Sequence, residues 1–214
     1  MVDIKVTIDL GMKKIQKFFD AQAKNYDTHM QQSGHYAAQL RIIEKIQEDT
    51  LPPILDAACG SGVLVKYFSE NFTFIQGNDF SKEMVVEARR TNPHTKITCE
   101  DAASLPGYTK KFRTIICCNL FYYLPNKNKA LQRWRNLLEN EGKLIIIEKF
   151  PFKYPRFEDF TLIVNPISFL KIKEIVEKNK FKLERKAKEY IDEHHNLYAL
   201  VFKKINLPII RYLK

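Results

Sequence analysis

The chain of 214 residues is poor in glycine, cysteine and tryptophan, with seven, four and one of each. No stretch approaches the ~18 consecutive apolar residues of a membrane-spanning helix. The first residues, MVDIKVTIDLGMKK, hold neither an apolar core segment nor a small-residue cleavage site, so no secretory signal is expected. Cys59, Cys99, Cys117 and Cys118 form no C-x-x-C pair, and Cys117 and Cys118, adjacent in an apolar run, would point to opposite faces of a strand. A reduced, cytoplasmic chain is expected. The histidines follow neither H-x-H nor H-x-x-x-H spacing, so no metal is expected. Repeats, linkers and low-complexity tracts are absent. What remains is a chain that is 45% hydrophobic with dispersed aromatics, enough for one substantial core.

Against that scarcity, Ile54 to Gly62 stands out. An apolar run ends in Asp56, breaks into Ala57-Ala58-Cys59-Gly60-Ser61-Gly62, and resumes as Val63-Leu64-Val65. Strand, tight turn and helix are the reading. Small residues let backbone approach a ligand, and the new helix offers free N–H groups. The dinucleotide pattern G-x-G-x-x-G fits poorly, because its third glycine is replaced by Val65. Where a pyrophosphate wants an uncharged cradle, Asp56 supplies an acid suited to an ammonium group. A second strand, Thr73 to Gly77, leads to Asn78-Asp79, with Asp79 23 positions after Asp56. A carboxylate at the tip of strand two accepts protons from ribose hydroxyls. Phe80 follows and is placed to cover an adenine face, while Ser81 reads as a helix cap.

These segments resemble the class I S-adenosylmethionine-dependent methyltransferases. Asp56 to Gly62 is similar to D-x-[GA]-x-G-x-G, and Gly77-Asn78-Asp79-Phe80-Ser81-x-x-Met84 to G-x-D-x-S-x-x-M. Cys99 to Pro106 resembles the g-D-a-x-x-L-P segment, in which an Asp side chain and the next backbone N–H hold adenine. Phe18 to Asp27, F-F-D-x-x-A-x-x-Y-D, is similar to the lead-in of the small-molecule, quinone-biosynthesis-like branch (types 11 and 25), where the tyrosine reaches over the cofactor. The resemblance covers roughly residues 17 to 203. It departs at Arg113, where the family has Asp, and at Glu141-Gly142, where it has two glycines. It implies S-adenosylmethionine as cofactor, S-adenosylhomocysteine as product, and a cofactor set of Tyr26, Asp56, Ala58, Cys59, Gly60, Gly62, Asp79, Phe80, Asp101, Ala102 and Asn119. Expected around the acceptor are His35, Tyr36, Tyr122 and Tyr123.

The fold expected is α/β: a Rossmann-like, doubly wound, mostly parallel seven-stranded sheet, closed by a C-terminal antiparallel hairpin and preceded by a helical lid. The division is residues 1–50 for the lid, 51–204 for the cofactor-binding domain and 205–214 for a tail that is apolar and basic. Helices are expected over Met12 to Asp20, His35 to Gln47 and Ser168 to Lys178, and strands over Phe112 to Asn119, Lys143 to Glu148, Phe181 to Ile191 and Leu197 to Lys203. The loop Asp192 to Asn196 would leave His194 and His195 in solvent.

The net charge of +10 admits nucleic acid, an anionic surface or an anionic substrate. Acids interleaved among the bases of Lys171 to Tyr190 favour a solvated helix and edge strand instead. The function expected is methyl transfer to a small molecule of aromatic or anionic character. The aromatic-rich stretch Phe150 to Pro166, with Lys153 and Arg156, would help to select it. RNA or DNA is the less favoured acceptor, since Asn119-Leu120-Phe121-Tyr122 lacks the two prolines of [DNS]-P-P-[YF]. A non-catalytic cofactor-binding module is a second alternative and nucleotide-dependent oxidoreduction a third. Oligomeric state is not legible.

Overall fold

A computed structural model describes residues 4–71, 74–151 and 167–206, with side chains from residue 10. The stretch around Lys153 and Arg156 and the tail from residue 207 lie outside the described residues. Helix α1 spans Ile4–Gln32, α2 His35–Lys45, α3 Val63–Asn71, α4 Lys82–Thr91, α5 Lys127–Leu137 and α6 Phe169–Lys178. The strands are β1 Ile54–Asp56, β2 Ile75–Asp79, β3 Ile97–Cys99, β4 Phe112–Cys118, β5 Leu138–Phe150, β6 Phe181–Asp192 and β7 His195–Lys204.

The strands form one sheet in the order β3-β2-β1-β4-β5-β7-β6. From β3 to β5 every pairing is parallel, and β7 joins β5 and β6 antiparallel. The expected architecture is therefore present. Chain order reverses between β1 and β4, the switch point at whose carboxyl edge open α/β sheets bind ligands.

Alternation along the strands builds two cores. Ile115 and Cys117 of β4 face α5 and α6, packing with Trp134, Leu131 and Ile172. Ile116 and Cys118 face the opposite layer, with Ile42, Ile43 and Ile46 of α2, Val65 and Phe68 of α3 and Ala88 of α4. Ser81, Asn126 and Ser168 cap α4, α5 and α6, each accepting the N–H three residues on. Acids and bases pair along α6, Lys171 and Lys178 with Glu174, and between α2 and β6, Arg41 and Lys45 with Glu189. That is the solvated helix and edge strand expected of the mixed charges.

Three boundaries differ from expectation. Helix α1 is 29 residues long, far beyond Met12 to Asp20. Its buried stripe continues through Ile15, Ala23 and Met30, a helical spacing that polar residues between them mask. β5 begins at Leu138 rather than Lys143, with a register irregularity against β4. Within it Glu141 adopts φ 64°, the left-handed backbone that the family's glycine would take without strain, and its carboxylate pairs with Lys203. The terminal hairpin is tighter than a five-residue loop, since Asp192 already pairs with His195. His194 is exposed as expected, but His195 is half-buried, its Nδ1 held 2.8 Å from the Asp192 carboxylate.

Candidate cofactor and acceptor site

The carboxyl ends of β1, β2, β3 and β4 open into a cavity covered by α1 and α2. One wall is polar. The loop after β1 is fixed from three sides: Ala57 N–H donates to Ile116 O (2.9 Å), Cys59 N–H to Asn78 O (2.8 Å) and Gly60 N–H to Asp79 Oδ2 (2.8 Å). Asp79 Oδ1 accepts from Ser81 N–H at 2.9 Å. One carboxylate thus joins the glycine loop to the start of α4. Gly60 stands at φ 53°, and a Cβ there would meet Tyr26 Cε1 at 3.7 Å, so Tyr26 lies directly over the loop. Asp56 is 1% exposed, and its carboxylate accepts a long hydrogen bond, 3.3 Å, from Ala58 N–H. Burial pushes its carboxyl up to about 7, with Asp79 adding to the shift. Asp79 is raised as well, by burial first.

Asp101 and Ala102 reach the cavity from the loop after β3. Asp101 Oδ1 accepts from Ala103 N–H (2.9 Å), Trp134 Nε1 holds Ala102 O (2.8 Å), and Arg133 holds the carbonyls of Ser104, Leu105 and Tyr108. The arginine and tryptophan of RWRNLLENEG thus brace the Asp101 loop from α5.

The opposite wall is apolar, formed by Met12, Ile15 and Phe19 of α1 with Leu120, Tyr123 and Leu124 after β4. The rings of Phe19 and Tyr123 meet edge to face at 5.7 Å. Helix α1 is pinned across both walls. Gln16 Nε2 donates to Phe80 O (2.9 Å), and Asp20 accepts from Ser81 Oγ (2.5 Å) and, more weakly, from Glu83 N–H (3.3 Å). Asp27 accepts from Ser61 Oγ and from Tyr36 OH (2.6 Å).

Of the eleven residues expected at the cofactor, ten line this cavity: Tyr26, Asp56, Ala58, Cys59, Gly60, Asp79, Phe80, Asp101, Ala102 and Asn119. Gly62 does not. A Cβ there would come within 2.6 Å of Asn92 Nδ2 and 3.1 Å of Ala88 Cβ, so Gly62 allows α3 and α4 to pack. Of the four residues expected at the acceptor, Tyr123 lines the apolar wall and Tyr36 lines the cavity while bonded to Asp27 and Ser61. Tyr122 is fully buried against Phe150 and Ile15, off the cavity wall. His35 is also off the wall, with Ser33 Oγ 3.0 Å from its Nδ1. Burial and then the nearby Lys149 lower its pKa to about 4.

Several contributors were not legible as such. Asn78 is fully buried and bonds to Ala57 O, Glu100 O, Glu100 N and Thr98 Oγ1, tying the loop after β1 to β3 and to the loop that follows it. Its place beside Asp79 at the end of β2 was the available signal. Glu148, at the end of β5, is buried and accepts from Phe121 N–H at 2.6 Å. Burial pushes its carboxyl up to about 8. Gln39 of α2 lines the cavity and had no sequence signal.

Residues 54–142 match the family described as Methyltransferase domain. The demethylmenaquinone methyltransferase of Thermotoga maritima is 26% identical over 150 residues, covering 68% of this chain and 66% of that protein. The malonyl-[acyl-carrier protein] O-methyltransferase of Buchnera aphidicola is 32% identical over 127 residues, 59% of this chain and 46% of that protein. The matched stretch thus spans about two thirds of the first relative's length and under half of the second's. The crystal structure of magnesium protoporphyrin IX methyltransferase from Synechocystis PCC 6803 with bound SAM shares the fold, with a TM-score of 0.68 at 17% identity over 91% of this chain and 97% of that one. Residues 54–142 thus carry a methyltransferase-domain match, and the chain resembles the class I S-adenosylmethionine-dependent methyltransferases in fold.

The donor set of this cavity fits S-adenosylmethionine, the cofactor of the proteins it resembles. The polar wall offers carboxylate oxygens at Asp56, Asp79 and Asp101, a backbone cradle at Gly60 that a side chain would strain, and an unpartnered acceptor, Gln39 Oε1. Among the described residues no cluster of His, Cys, Asp and Glu is arranged to hold a metal ion, and no helix is long and apolar enough to cross a membrane.

Proposed function

We propose that this methyltransferase acts on a small acceptor with an apolar or aromatic body, seated between α1 and the turn after β4. The observation that carries this is the division of one cavity into an acid-bearing wall and an apolar wall. S-Adenosylmethionine supplies an electrophilic methyl group on a sulfonium with a neutral leaving group, so the protein's task is alignment and exclusion of water.

In this reading Asp79 accepts the two ribose hydroxyl protons. Asp101 and the Ala102 N–H hold the adenine edge, and Phe80 covers one ring face. The glycine loop, Ala58 to Gly60, approaches the amino-acid end beside Asp56, and Asn119 shapes the wall there. Tyr26 closes over the loop and α1 acts as the lid. The acceptor end is apolar but for the Tyr123 hydroxyl among its described side chains, which suits an acceptor that arrives already nucleophilic, as an ionised oxygen does. Among the relatives, one is named for a demethylmenaquinone acceptor and one for O-methylation of malonyl-[acyl-carrier protein].

The test is transfer of a labelled methyl group from S-adenosylmethionine to three panels: aromatic acids and quinols, polar amines, and RNA. Labelling confined to the first panel is the expected result. Labelled RNA, with salt-dependent binding, would replace this reading by a nucleic-acid one. Firm S-adenosylhomocysteine binding with no acceptor labelled would point to a binding module.

A further inference from the structure

The wall between the glycine loop and the end of β4 contains a polar group that neither the fold nor the family pattern requires. Gln39 lies on α2, whose other buried residues are Tyr36, Ala38, Ile42 and Ile43. It is only 6% exposed, yet it lines the cavity. Its Nε2 donates to Cys118 Sγ at 3.1 Å. Its Oε1 is buried and has no hydrogen-bond partner among the described residues. A buried acceptor without a donor costs about 1–3 kcal/mol, and α2 would be better packed with a leucine there unless a ligand meets that oxygen.

Strand parity identifies its neighbours. Ile54 of β1 packs in the layer under α2, so Asp56, two residues on, points to the same side. Asp56 is in register with Ile116, and Cys118, two residues beyond, shares that side too. Gln39 therefore descends from α2 onto Cys118 at the corner where Asp56 faces the cavity. The corner holds acceptors, one carboxylate and one amide oxygen, and Tyr26 over Gly60 borders it. A single group with two or more N–H bonds can satisfy both. An ammonium does so, and its charge suits one neighbouring acid.

We propose that Gln39 Oε1 and the Asp56 carboxylate together receive the α-ammonium of the cofactor's amino-acid end. This rests on the methyltransferase reading above and adds a binding residue from the lid side.

The probes are S-adenosylhomocysteine and its desamino analogue, which keeps the carboxylate and lacks the amine, titrated calorimetrically. Wild type should bind the first at least about tenfold more tightly. Gln39→Ala should lose about tenfold for S-adenosylhomocysteine and little for the analogue. Gln39→Glu, which keeps an acceptor oxygen, should recover most of that loss. If wild type binds neither probe, the cofactor reading itself fails. If it binds both equally, or if Gln39→Ala weakens both alike and Gln39→Glu does not recover the difference, the cofactor reading stands and the role of Gln39 is overturned.

Discussion

The two walls of the cavity are built on different principles. The acid-bearing wall is made by loops at the ends of β1, β2 and β3, and nearly every polar group in it is held by another: Asp79 by Gly60 and Ser81, Asn78 by Ala57, Thr98 and Glu100, Ala102 by Trp134. The apolar wall is made by one face of α1 against the turn after β4, joined by ring and aliphatic contacts. Hydrogen bonds fix direction, so the first wall is preorganised for one ligand. Apolar contact is non-directional, so the second can change its acceptor by changing side chains without disturbing the first. A shared cofactor and a variable acceptor need this division.

The largest expected effect is on the acid-bearing wall. Asp79→Ala removes the acceptor of the ribose hydroxyls and frees the glycine loop. At about 1.5–3 kcal/mol for each charged hydrogen bond, S-adenosylhomocysteine affinity should fall about a thousandfold by calorimetry. A loss under tenfold would mean that the ribose is held elsewhere.

Asp56 sharpens the same contrast through pH. Its folded pKa, about 7, lies above the unfolded value, so the native state binds the extra proton between them. The stability of the ligand-free protein should therefore fall as pH rises from about 4 to about 7, then level off. Glu148, raised to about 8, adds a fall of the same sign that extends to its own pKa. Asp56→Asn should flatten the lower part of this profile. At pH 8 it should stabilise the free protein by on the order of 3 kcal/mol, read by urea unfolding, while weakening S-adenosylhomocysteine binding. An unchanged pH profile would refute the buried, ligand-facing account of this acid.

Gly62→Ala tests scaffold against site. A Cβ would collide with Asn92 and Ala88 at a backbone φ of 91°, and about 2 kcal/mol of stability should be lost. The residual folded protein should bind the product with near-native affinity. Asp20→Ala loosens the lid from Ser81 and Glu83. It should cost about 1 kcal/mol, seen as faster amide exchange in α1 with β4 and β5 unaffected. Smallest of all, Phe19→Ala should leave S-adenosylhomocysteine affinity within about twofold while impairing acceptor turnover, because its partner Tyr123 belongs to the apolar wall.

The contrast also explains what could be read from the sequence. Asp56, Gly60, Asp79 and Asp101 were legible because loops at strand ends need particular residue types at particular spacings. So was the antiparallel hairpin, from two strand patterns joined by a polar turn. The apolar wall was legible only in part, since Phe19, Ile15 and Tyr122 look alike as packing residues, and whether a ring lines the cavity or sits beneath it is decided by the turn after β4. Gln39 and Glu148 were hidden for another reason: their significance is burial, which no local pattern announces. Glu141 shows the limit of reading departures, because a non-glycine residue there still keeps the left-handed turn, its side chain paired with Lys203.

The central claim is that the acid-bearing wall is a site for S-adenosylmethionine and not for a dinucleotide. Calorimetric titration of the wild-type protein with S-adenosylhomocysteine, beside NAD and beside Asp79→Ala, tests it most directly. The account predicts one-to-one binding of S-adenosylhomocysteine that is abolished in the variant, with no heat from NAD. Binding of NAD, or S-adenosylhomocysteine binding that ignores Asp79, would contradict it.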